Sequence, residues 1–145
     1  FAWETHRLAE DGAELLAFVN AVASVVGCVL VAVGAGLGAP LRWWVDQWVQ
    51  RRWAPLLPWG TFLVNVVGSF VLGLLVGSFS SGASAYLLLG VGFCGALTTF
   101  SSFAWETHRL AEDGAELLAF VNVVASVVGC VLVAWLGWWV AGGSA

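Results

Sequence analysis

The chain has 145 residues, of which 61% are hydrophobic and 10% are charged, and its formal net charge at pH 7 is −4. This composition is far more apolar than that of a soluble domain and is typical of an integral membrane protein. Each membrane-spanning helix takes about 20 mostly apolar residues, so four helices would use most of the chain. We therefore expect neither a soluble catalytic domain nor an enzyme, and the net negative charge argues against a nucleic-acid partner.

A near-verbatim internal repeat complicates the first part of the chain. Residues 1–32 match residues 103–134 at all positions but one. Membrane proteins built from repeats carry diverged copies of whole structural units, whereas this copy starts inside one predicted helix and stops inside another. We interpret residues 1–19 as a duplicated segment without function, and residues 20–145 as the working membrane domain.

The first predicted helix covers about residues 20–44. It overlaps a long apolar run over residues 15–41, which ends before Arg42. A polar, tryptophan-rich loop is predicted over residues 46–58, and tryptophan is enriched at membrane–water interfaces. This pattern indicates that the chain leaves the bilayer near Arg42.

The second predicted helix covers about residues 60–77 and carries an amide in its middle third, at Asn65. An amide at this depth is costly to expose to lipid and needs a partner. Asn65 either forms a hydrogen bond between helices or lines a polar pathway, and the residue by itself does not decide between the two.

The third predicted helix covers about residues 85–109 and has an unusual middle. Residues 90–102 concentrate glycines and hydroxyl side chains where a passive span would carry leucine and isoleucine. Irregular backbone at membrane depth persists only where it faces protein, ions or water, so we predict a break here. Phe100 and Phe103 share one helix face, and their partly positive ring edges could contact an anion, although such pairs are common in protein cores.

The fourth predicted helix covers about residues 116–140 and carries two polar residues one turn apart, Asn122 and Ser126. The predicted fold is therefore all-α with four membrane-spanning helices. Arginine counts in the loops give only a weak orientation bias, which permits insertion in both directions.

Taken together, residues 34–42, 60–70 and 92–103 resemble the CrcB/Fluc family of fluoride channels. The resemblance extends in order and spacing over residues 34 to about 140. It implies a multi-pass protein of the inner or plasma membrane that exports fluoride and so lowers fluoride toxicity in the cytoplasm. It also implies an antiparallel, dual-topology homodimer within the lipid, with a broken third helix and a structural sodium ion.

The resemblance assigns roles to particular residues. It implies a fluoride path that includes Asn65, Phe100, Ser101, Ser102, Phe103, Glu106 and Ser126. In this path Asn65 would be the pore amide, and the rings of Phe100 and Phe103 would meet fluoride at their edges. The backbone carbonyls of Gly95 and Thr98 would bind the sodium ion. Asn122 stands where members of the family often have tyrosine.

Two other functions compete with a fluoride channel. A small four-helix multidrug or cation exporter usually needs a carboxylate deep in the membrane, whereas Glu106 lies close to a predicted helix end. A purely structural membrane protein would pack through small residues such as Gly34 and Gly38. Uncharged donors favour the channel, because a small, strongly hydrated anion needs donors in place of water but is trapped by a full positive charge.

Overall fold

The structure is a computed structural model that describes residues 2–52, 57–80 and 82–143, with residues 2–11 described as helical backbone only. The described ranges contain no strand and hold four helices that are long and apolar enough to cross a membrane. The predicted all-α membrane fold is thus confirmed. The spans are Gly12–Arg52, Trp59–Ser78, Tyr86–Glu112 and Glu116–Val140.

Helix α1 (Ala2–Arg52) is 51 residues long, or about 75 Å, and the prediction of 20–44 was too short at both ends. The predicted loop is helical up to Arg52 because side chains one turn apart support one another there. Gln50 donates to Asp46 over 2.8 Å, and the Arg52 guanidinium lies 5.7 Å from the Trp48 ring centre. At the other end, residues 12–26 are all exposed.

Helices α2 (Trp59–Ser78) and α5 (Glu116–Val140) agree with the predicted bounds of 60–77 and 116–140. They pack side by side because glycines let their backbones come close. A Cβ atom at Gly73 would collide with the Ala134 carbonyl, and one at Gly137 would collide with the Phe70 carbonyl. Close approach through small residues is how helices associate in lipid, where burial of apolar surface gives no advantage.

The third span covers Tyr86–Glu112, close to the predicted 85–109. It consists of a π-helix, π1 (Tyr86–Cys94), a single α-turn, α3 (Gly95–Leu97), and helix α4 (Phe100–Glu112). Between α3 and α4, Thr98 and Thr99 have extended backbone, with ψ angles of 157° and 123°. The third span packs against α1, where a Cβ atom at Gly34 would collide with the Leu88 carbonyl.

Candidate functional site

A groove of about 560 Å³ lies beside the two extended residues. Its lining includes polar side chains of α2 and α5, glycines of π1 and α3, and two phenyl rings of α4. Most of the residues that the family resemblance assigned to the fluoride path or the sodium site line this groove. Among the lining residues are Asn65, Ser69, Gly95, Thr98, Thr99, Phe100, Phe103 and Ser126.

Asn65 pairs with the backbone of Thr99 at the floor of the groove. Its Nδ2 donates to the Thr99 carbonyl over 3.0 Å, and its Oδ1 accepts from the Thr99 amide over 2.7 Å. In an unbroken helix the Thr99 amide would donate to the carbonyl of Gly95. Asn65 therefore replaces a helical hydrogen bond and stabilises the extended backbone, while one N–H of its amide remains for another partner.

Thr99 also begins the next helix. Its Oγ1 accepts from the Ser102 amide over 3.2 Å, which makes it the N-cap of α4. The hydroxyls of Ser101 and Ser102 lie 3.2 Å from the same oxygen. These serines therefore contact Thr99 and are not themselves part of the groove lining.

Two of the carbonyls at the interruption lose their helical donors to side-chain oxygens. The Thr99 amide, which a continuous helix would direct at Gly95, goes to Asn65, and the Ser102 amide, which it would direct at Thr98, goes to the Thr99 hydroxyl. The carbonyls of Gly95 and Thr98 are thus left to accept from other groups. Such carbonyls are ligands that hard cations accept.

The rings of Phe100 and Phe103 lie next to each other in the groove. Their centres are 5.8 Å apart and their planes are inclined by 50°. Phe100 is 79% exposed. Such a ring pair can turn positive edges towards the groove.

Glu106 lies in a second cavity, of about 380 Å³, which Asp46, Arg109 and Asp113 also line. Its Oε1 accepts from the Thr61 hydroxyl over 2.8 Å, and its Oε2 is buried without a partner among the described residues. Glu106 follows Phe103 by one turn of α4, so the second cavity lies beyond the ring pair. The carboxylate does not contribute to the groove itself.

The two polar residues of α5 face different neighbours. Ser126 is buried and lines the groove. Asn122 is buried too, but its Nδ2 donates to the Thr107 hydroxyl over 2.8 Å, which connects α5 to α4. Asn122 therefore serves helix packing in this structure.

Sequence reasoning gave too little weight to two threonines. Thr99 organises the interruption, and Thr61, only 4% exposed, holds Glu106. Threonine directly before a helix is a common N-cap, so Thr99 was open to prediction from its position before Phe100. The pairing of Thr61 with Glu106 joins distant parts of the chain, and no local pattern indicates it.

The profile of a family described as CrcB-like protein, Camphor Resistance (CrcB), matches residues 29–138. The chain is 50% identical over 116 residues to fluoride-specific ion channel FluC 1 of Streptomyces avermitilis, covering 78% of this chain and 94% of that protein. It is 49% identical over 117 residues to FluC 1 of Frankia casuarinae, covering 75% and 91%. It is 41% identical over 113 residues to FluC of Methylocella silvestris, covering 74% and 86%.

Proposed function

This chain belongs to the CrcB family, and we propose that it is a fluoride-selective ion channel which exports fluoride and so lowers its toxicity in the cytoplasm. The observation that carries the proposal is the extent of the family match. It covers residues 29–138, and all the candidate site residues, from Asn65 to Ser126, lie inside that range. As a multi-pass membrane protein of this family, the chain has its place in the cell membrane.

Fluoride would move along the groove past uncharged donors. Asn65, Ser126, Phe100 and Phe103 all line the groove. Fluoride would meet the free N–H of Asn65, the Ser126 hydroxyl and the edges of the two rings there. Helix α4 begins at Phe100, so the positive end of its dipole also points towards this region. None of these groups carries a full charge, so the anion is not held too tightly to leave.

We propose that the interruption corresponds to the break that the family resemblance implies and that a structural sodium ion binds there. The two carbonyls assigned to sodium, of Gly95 and Thr98, are the ones whose helical donors are diverted to Asn65 and Thr99. Bound there, sodium would add a positive charge that attracts anions to a protein of formal net charge −4. Both assigned carbonyls are thus among those that the interruption frees, which supports the site.

A second copy of the chain would complete the path. The groove leaves Phe100 79% exposed, and a ring lining an anion path needs a wall opposite to exclude lipid and bulk water. We assign that wall to an antiparallel copy of the same chain, in keeping with the weak orientation bias of its arginines. The functional unit would then be a dual-topology homodimer within the lipid bilayer.

Fluoride efflux from proteoliposomes tests the function. Purified protein reconstituted into liposomes loaded with potassium fluoride should release fluoride when valinomycin allows potassium to leave. Parallel liposomes loaded with potassium chloride should release little chloride, and protein-free liposomes should release little of either ion. Chloride release as fast as fluoride release would refute a fluoride-selective channel, and no release of either ion would favour a structural role.

A further inference from the structure

An arginine of α1 lies beside the interruption of the third span. Gly34, Gly38 and Arg42 follow one another at intervals of four residues, so they share one face of α1. The two glycines bring the helices into backbone contact, since a Cβ atom at Gly34 would meet the Leu88 carbonyl and one at Gly38 would meet the Phe93 carbonyl. The same face then carries the half-buried Arg42 to the extended residues.

Arg42 directs its guanidinium at a carbonyl that the interruption has freed. Its Nη1 lies 3.5 Å from the Thr98 oxygen, a long and therefore weak hydrogen bond. That oxygen has lost its helical donor, because the Ser102 amide is bound to the Thr99 hydroxyl. A half-buried charged group needs such a partner.

We propose that Arg42 competes with sodium for the Thr98 carbonyl and so sets the sodium concentration at which the dimer is stable. This inference rests on the proposed function and its sodium site. Arg42 is thus a positioning residue that acts through Thr98 and does not touch fluoride. A guanidinium within hydrogen-bonding distance of a sodium ligand places a like charge close to the ion and takes part of the carbonyl's acceptor capacity. Both effects weaken sodium binding.

The competition predicts a direction of change. Removal of the charge in Arg42→Gln should strengthen sodium binding and lower the sodium concentration for half-maximal stabilisation by about tenfold, as expected for loss of one nearby like charge. Arg42→Met removes the same charge from a side chain of comparable length and should behave alike. Arg42→Lys keeps the charge and should stay close to the original half-point.

Sodium titration of the purified protein provides a readout that needs no ion flux. Melting temperature and dimer fraction are measured in detergent from zero to high sodium chloride, with N-methylglucamine chloride holding ionic strength constant and fluoride absent. Arg51→Gln is the matched control, because Arg51 is an exposed arginine of the same helix. It should leave the half-point unchanged.

Each outcome decides between the proposals. A lower half-point in both neutral variants, with Arg51→Gln and Arg42→Lys unchanged, supports competition. An unchanged or higher half-point in the neutral variants overturns it, and so does their failure to form a dimer at saturating sodium. If the unsubstituted protein shows no sodium dependence, the sodium site is refuted together with this inference, whereas fluoride efflux from the same preparation tests the channel function separately.

Discussion

Replacing Asn65 by aspartate should nearly abolish fluoride conduction. The substitution keeps the oxygen that accepts from the Thr99 amide over 2.7 Å, but it replaces the Nδ2 donor, 3.0 Å from the Thr99 carbonyl, by a second oxygen. The side chain hardly changes in size. What changes is that a donor on the groove wall becomes a negative charge.

The charge outweighs the lost hydrogen bond. A single hydrogen bond contributes about 1 kcal/mol net to stability. Two like unit charges about 5 Å apart repel by about 3 kcal/mol at an effective dielectric constant of about 20. Added to the barrier for the anion, about 3 kcal/mol slows passage roughly a hundredfold.

Fluoride efflux from liposomes at neutral pH measures this loss, with the dimer fraction monitored in parallel. Asn122→Asp is the matched control, since it makes the same chemical change at a buried amide that donates to the Thr107 hydroxyl. That hydroxyl donates its hydrogen to the Phe103 carbonyl over 2.8 Å and can turn to donate to the new carboxylate instead. The control should therefore fold and lose much less flux. Full throughput in Asn65→Asp, or an equal loss in Asn122→Asp, would refute a role for Asn65 in the path.

Two further predictions concern the ring pair and the repeat. Phe103→Ile removes a positive ring edge while roughly keeping the volume of the side chain, so it should reduce fluoride flux severalfold with the dimer intact. The control is Phe120→Ile, at an exposed ring of α5, which should leave the flux unchanged. Equal fluoride flux in the two variants would show that Phe103 only packs against its neighbours and does not contact fluoride. A truncated chain that starts with a new methionine before Asn20 should insert, dimerise and conduct fluoride, because residues 12–26 are all exposed. Normal expression without flux would show that the repeat is a working part of the channel.

The bounds of α2 and α5 were predictable from hydrophobicity. Each is a mostly apolar segment about one bilayer thick, between polar or turn-forming residues. The family and the fluoride function followed from motifs in residues 34–42, 60–70 and 92–103, and the match to residues 29–138 confirms that resemblance. These features depend on local sequence, and local sequence was sufficient for them.

The length of α1 and the backbone of the third span were not predictable in the same way. Hydropathy marks where a chain leaves the bilayer, but a helix continues into water when side chains one turn apart support it, as Asp46 and Gln50 do. The π-helix Tyr86–Cys94 depends on packing against α1, because its hydrogen bonds are intrinsically less favourable than those of an α-helix. Side-chain contacts one turn apart decide the first feature, and contacts between distant residues decide the second.

The interruption at Thr98 and Thr99 explains why one short segment can serve ions of both signs. Diverting the Thr99 and Ser102 amides to side-chain oxygens frees two carbonyls at the end of α3, where the helix dipole is negative. The same event starts α4 at Phe100, with its positive end at the groove. A cation and an anion can then be stabilised a few residues apart without a charged side chain in the groove. Since the Asn65 oxygen holds the Thr99 amide in this arrangement, a replacement that lacks this oxygen should disturb the proposed sodium binding as well as fluoride passage.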